Sequence, residues 1–160
     1  MTSESPTRGS SREIWKTAVG ALMAWWSAAT LDALIVGVIW FAGLELIGVP
    51  LAWVWAILGA ILQFLPVYGE MIALIGPVLS VLFSGQDYWH LGLVFGLYAL
   101  IAVLEGLVIG PYILHRRTKV PWWAAILGPI VLGIIIPFWG VLLAPPLLAI
   151  AFAFRKPATP

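Results

Sequence analysis

Polar residues in this chain come in short bunches, and the intervals between them form six apolar runs. The first covers about 28–47, "AATLDALIVGVIWFAGLELI", and closes at Gly48-Val49-Pro50. The second, about 51–65, stops at Pro66, and the third, about 70–84, ends in the polar loop "SGQDYWH". A fourth run, about 89–114, leads into the basic segment "HRRTKV". Two more follow at about 122–136 and 138–154, with Pro137 between them. A membrane crossing takes about 20 apolar residues, which runs one and four supply. Runs two and three, at about fifteen residues each, make only about 22 Å of helix. They are either short tilted crossings or a re-entrant hairpin. Residues 12–27, "REIWKTAVGALMAWWS", set Trp15, Val19, Leu22 and Trp26 at helical spacing. That segment is either an amphipathic helix lying on the membrane surface or an extension of the first crossing.

Composition decides the solvent. Hydrophobic residues make up 62% of the 160 positions and charged residues 9%, with a mean hydropathy of +1.06. A soluble domain averages about 45–50% apolar and about 25% charged, so too few polar residues remain here to build a water-facing surface. The expected class is an all-α, polytopic membrane protein whose partner is lipid. Ten tryptophans fit an interfacial environment. The absence of cysteine rules out disulfides, thiolate catalysis and cysteine metal sites. "MTSESPTRGSSRE", residues 1–13, reads as a disordered tail rather than a signal peptide. Residues 14–154 then form a single helical transmembrane domain, and 155–160 a second tail.

Charge placement predicts the orientation. All eight Lys and Arg residues fall in three clusters: Arg8, Arg12 and Lys16; Arg116, Arg117 and Lys119; and Arg155 and Lys156. The positive-inside rule puts all three on the cytoplasmic side. Between the first two clusters lie two long runs and one hairpin, an even number of crossings whether the hairpin spans or re-enters. Both termini are therefore expected in the cytoplasm, around a multi-pass membrane domain.

The prolines carry a repeat. Pro50, Pro66 and Gly69 recur as Pro121, Pro137 and Gly140, each 71 positions later, and "PVYG" matches "PFWG". The two units, about 28–84 and 89–154, each hold one long run and one proline-divided pair. An odd number of crossings per unit makes consecutive units point in opposite directions. Inverted repeats with interrupted helices mark transporters, and the interruptions mark the site. At Pro66 the backbone loses an N–H. The groups freed there must be buried in protein or line a wet cavity. Such a cavity is also a place where Glu70, beside that break, can remain ionised or exchange a proton.

These words also resemble a known family. "LDALIVGVIWFAGLELIGVPLAWVWAILGAILQFLPVYG", "GPVLSVLFSG", "LEGLVIGPYIL" and "PFWGVLLAPPLLAIAFAF", in this order, are similar to the C-terminal half of the autoinducer-2 exporter family of bacterial permeases. The resemblance covers Asp32 to Phe154 and implies transport, either export of a signalling molecule or sodium–proton exchange. Asp32 and Gly37 match the family's "D-alivG" word, Pro66 and Gly69 its proline–aromatic–glycine turn with Tyr68 as a shifted aromatic, and Glu105 and Pro111 its "Q-x-x-E-G-N-x-x-x-P" stretch. The glutamine and asparagine positions of that stretch are Ala102 and Leu107 here, and Glu70 stands at a usual second proline. Matching only about half of the family's length implies a reduced relative, a fragment or one part of a split protein.

The transport-path candidates are thus Glu105, Glu70, Asp32, Pro66, Tyr68, Gly69, Pro111, Pro137 and Gly140. A carboxylate within a crossing costs about 2.5–3.5 kcal/mol on insertion scales and is a functional-site hypothesis by default. Glu105 is the deepest of the three, Asp32 lies nearer the cytoplasmic end, and Glu45 is expected at the outer interface. His90 and His115 fall in loops on opposite faces and cannot share a metal. No phosphate loop, metal-ligand pair or serine elbow occurs, so neither an enzyme nor a cofactor or nucleic-acid partner is expected. The expected function is a permease for a small polar solute, signalling molecule or cation. It is expected to act as a homo-oligomer or with a partner chain supplying further helices. The alternative is a non-transporting scaffold or subunit of a split transporter.

Overall fold

The computed structural model describes residues 7–154, with side chains from residue 11 onward. The tails expected at 1–6 and 155–160 lie outside the described residues. Between Thr7 and Ile47 the chain has no proline, and α1 runs through all 41 of these residues, about 61 Å at the α-helical rise. Residues 12–27 therefore extend the first crossing instead of forming a separate surface helix. The tail expected over 1–13 gives way to helix at Thr7 for the same reason.

A second long helix runs beside α1. It consists of α4 (Tyr88–Leu104), a π-helical turn (Glu105–Ile109) and α5 (Gly110–Thr118). Together they are 31 continuous residues, about 46 Å. Both helices exceed the ~30 Å hydrocarbon thickness. They are antiparallel: Gly43 near the end of α1 packs against Leu97 in α4, while Trp25 in α1 packs with Leu114 and Val120 at the far end.

The four shorter helices form two hairpins. α2 (Ala52–Leu62) and α3 (Tyr68–Phe83) make the first; α6 (Trp122–Ile135) and α7 (Trp139–Ala153) make the second. The base of the first hairpin is tied to the end of α1. Ser80 Oγ and Trp55 Nε1 donate to the Pro50 carbonyl at 2.8 and 3.1 Å, and Gln86 Nε2 donates to the Gly48 carbonyl at 2.8 Å. From there α2 runs back along α1. Gly59 faces Trp40, Gly37 leaves room for Ala60, and the Phe64 ring meets Trp26 at 5.0 Å. Trp40, almost fully buried, centres the core with Val36, Leu44, Ala52, Ala56, Val81, Val94 and Ile101. The second hairpin opens at the other end, where Trp25 packs with Val120, Ala124, Leu148 and Phe152. The hairpins thus enter from opposite ends, and their tips touch: the Tyr68 and Phe138 rings lie 4.6 Å apart.

The 71-residue repeat is present in the backbone itself. Gly48 and Lys119 both take left-handed angles, φ 81° and 57°, and donate to the carbonyls of Leu44 and His115. Val67 (φ 67°, ψ −52°) and Phe138 (φ 64°, ψ −67°) take a second shared conformation. At both tips the residue after the strained one donates to the proline carbonyl at 2.8 Å, Tyr68 to Pro66 and Trp139 to Pro137. These are γ-turns of positive φ, a rare conformation that costs about 1–3 kcal/mol at a non-glycine residue. The glycine after each turn closes a further bond at 2.7 Å, Gly69 to Leu65 and Gly140 to Ile136. A Cβ on Gly69 would run into the Leu62 carbonyl, and one on Gly140 into that of Leu132. In the first hairpin α2 stops at Leu62, short of the expected 65, because the Leu65 N–H turns back to the Leu62 carbonyl at 2.8 Å.

Because no side-chain atom fits between the arms, Gly69→Ala and Gly140→Ala should each destabilise the protein by about 1–3 kcal/mol through overpacking, read as a lower thermal midpoint in detergent. Gly92→Ala and Gly96→Ala, whose added methyls meet nothing within 4 Å, should hold or raise that midpoint. Equal losses at all four positions would contradict the tight-tip geometry.

Candidate functional site

The break before Pro111 shapes the site. Pro111 has no N–H to close an ordinary helical turn. The Gly110 N–H instead reaches back to the Glu105 carbonyl, five residues away, and residues 105–109 widen into a π turn. Such turns recur at functional sites. This one faces the tip of the first hairpin across α1, and a cavity of about 550 Å³ lies between them. Asp32 comes from α1, Gln63 and Pro66 from the hairpin tip, and Glu105 and Pro111 from the π turn and the start of α5. Pro129 of α6 and Pro145 of α7 close the wall from the second hairpin.

Two carboxylates and one amide supply the polarity of the lining, and a third carboxylate stands nearby. Gln63, 8% exposed, donates through Nε2 to Asp32 Oδ2 at 3.4 Å. Glu70, at the start of α3, lies near both Gln63 and Asp32. Asp32 Oδ1 and Glu105 Oε2 are buried without a hydrogen-bond partner. Buried polar atoms are nearly always paired, and a group left over calls for an explanation.

Of the residues singled out in the sequence, Asp32, Pro66, Glu105 and Pro111 line the cavity. Glu70 does not line it but lies near Gln63, which does. Tyr68 makes the tip-to-tip contact with Phe138, and Gly69, Pro137 and Gly140 build the turns at the two tips. Glu45 is exposed near the end of α1. His90 contacts the Asp87 carbonyl and His115 the Val120 carbonyl, at opposite ends of the α4–α5 helix. Among the described residues, no three His, Cys, Asp or Glu side chains gather to hold a metal ion. Gln63 was missed in the sequence, although its signal was visible: Gln63 and Gln86 are the only amide side chains in the chain. A lone amide in an apolar run, three residues before a helix-breaking proline, marks a required hydrogen bond.

Two inverted units, interrupted helices at matching positions and acidic groups gathered beside the interruption form the architecture of a membrane transporter. The sequence profile described as "AI-2E family transporter" matches residues 1–157. The chain belongs to the AI-2E transporter family. Over 110 residues it is 33% identical to the protein named "Putative transport protein YhhT" of Escherichia coli K12, and equally to its counterpart in Escherichia coli O157:H7. Those residues are 63% of this chain and 31% of each relative. The chain thus spans about a third of the length of the curated relatives it matches. In this AI-2E family chain the glutamine and asparagine positions expected near Glu105 are Ala102 and Leu107, and both line the cavity.

Gln63→Leu leaves Asp32 without its donor and should cost about 1–3 kcal/mol, the desolvation penalty of an unpaired buried acceptor. Adding Asp32→Leu should recover part of that loss. A double-mutant cycle on thermal midpoints in detergent reads the coupling, and strictly additive losses would show that the pair does not interact.

Proposed function

We propose that this chain is a permease that moves a small polar solute, signalling molecule or cation across a bacterial inner membrane. One observation carries the reading: two carboxylates, each with one buried and unpartnered oxygen, belong to residues that line a cavity where a π turn meets the tip of a broken hairpin. Such oxygens have a use if a solute or proton occupies them for part of a cycle. The two hairpins open on opposite ends and meet at Tyr68 and Phe138, so displacing one tip or the other would expose the cavity to alternate sides. Glu105 and Asp32 would carry the proton or cation, and Glu70 would act on Asp32 through Gln63. The family description and the relatives' printed name support transport as the activity. Export of autoinducer-2 and cation–proton exchange are the two finer readings.

The same proposal includes orientation and assembly. Arg116 and Arg117 lie in the last turn of α5 and Lys119 just after it, at the end that packs near Trp25, toward the basic start of α1 at Arg12 and Lys16. With that end cytoplasmic, the loop at Gln86–Asp87 faces outward. A second copy or a partner chain would complete the wall around the path.

Reconstituted in proteoliposomes, Glu105→Gln should abolish pH-dependent flux while the protein still inserts. Unchanged flux would remove Glu105 from the mechanism. Because the chain has no cysteine, single replacements report its sidedness. In intact cells an impermeant maleimide should label Asp87→Cys and reach His115→Cys only after permeabilisation; the reverse pattern would invert the topology.

A further inference from the structure

The lining of the cavity is chemically one-sided. Its ionisable groups among the described residues are Asp32 and Glu105, and no described Lys, Arg or His lines it. Beyond Gln63, no described lining side chain carries an amide or a hydroxyl. The remainder is the rings of Trp25 and Phe64 together with aliphatic, proline and glycine surface; Ala102 and Leu107 lie on the π-turn side with Glu105. The volume, about 550 Å³, falls within the roughly 300–1,000 Å³ typical of sites for drug-sized ligands.

Each ligand class can be tried against this wall. An anion would meet two carboxylates and no cation. A sugar-like solute would lose its hydration and find one amide to replace it, and unpaired polar groups are expensive to bury. A bare divalent ion needs a shell of six or so oxygens, and no three acidic or histidine ligands converge among the described residues. A positive charge on an apolar body fits every feature. The carboxylates would neutralise it in surroundings of low dielectric, where attraction is stronger than in water. Trp25 and Phe64 would take its alkyl or aryl groups and add cation–π attraction.

We propose that the cavity binds a hydrophobic organic cation of the quaternary ammonium or phosphonium type. Its charge is held by Asp32 and Glu105, and its apolar groups pack against Trp25 and Phe64. This deepens the permease reading by naming the ligand class, and it rests on that reading for movement but not for binding. Gln63 is then a positioning residue: its bond to Asp32 Oδ2 fixes the carboxylate in the cavity wall.

The test uses the full chain in lipid nanodiscs and equilibrium dialysis with radiolabelled tetraphenylphosphonium. Tetraphenylborate, of the same shape and opposite charge, and empty nanodiscs serve as controls. Saturable binding of the cation alone is expected, weakened about a hundredfold when Asp32→Asn and Glu105→Gln are combined. Glu45→Gln, which alters an exposed carboxylate outside the cavity, should leave the affinity unchanged. Uptake no greater than in empty nanodiscs, equal binding of the borate, or full affinity in the folded double variant would each overturn the proposal. If the double variant fails to fold, the comparison of the two ions on the unaltered chain decides. Flux in proteoliposomes separates the two readings: transport of another solute without phosphonium binding sinks the ligand class alone, whereas binding without flux of any solute sinks the permease.

Discussion

Hydrocarbon cannot hydrogen-bond a peptide group, and that constraint governs this chain. A helix interrupted within an apolar bundle frees N–H and C=O groups that must be satisfied by protein or water. The two hairpin tips meet this demand in the same way. A γ-turn at Val67 or Phe138 pairs the carbonyl of the preceding proline, and the following glycine pairs the carbonyl two residues before the strained one. The strained angles are held because the arms leave no room at Gly69 or Gly140 for anything larger. Stacking Tyr68 on Phe138 then turns each tip toward the other.

The same interruption makes room for polarity. α2 is only 11 residues long, about 16 Å, and its tip reaches the level of Asp32 on α1 rather than crossing the whole bundle. Gln63 sits at that level and bonds Asp32, while Glu70 begins the returning arm. On the facing helix, Pro111 widens the backbone and Glu105 starts the π turn. Interrupted backbone and acidic side chains are therefore neighbours for one reason. Charged groups are least costly where the helix is already broken and the surroundings are not lipid.

Much of this was legible in the sequence. The six runs, the two long helices and the 71-residue spacing of prolines and glycines were visible without coordinates. The spacing reappears in matched φ angles at Gly48 and Lys119 and at Val67 and Phe138. Helix boundaries were less legible. α1 continues back to Thr7 because nothing in residues 7–27 breaks a helix, and polarity alone had suggested a tail. The π turn was hidden, since Pro111 with Gly106 and Gly110 was readable as a weak point but not as a widened turn. Gln63 was hidden as well, because its role depends on Asp32, 31 positions away.

By itself the sequence determined the solvent, the helical class, the broken hairpins and the inverted pairing, since these follow from hydropathy and from what proline and glycine do to their own backbone. Those are local properties, carried by each segment wherever it lies. Only the tertiary structure decided which carboxylates share a cavity, that Gln63 bonds Asp32, and that the two tips meet at Tyr68 and Phe138. These are distances between segments far apart in the chain, set by how α1 packs against both hairpins and the π turn, and no run of residues contains them.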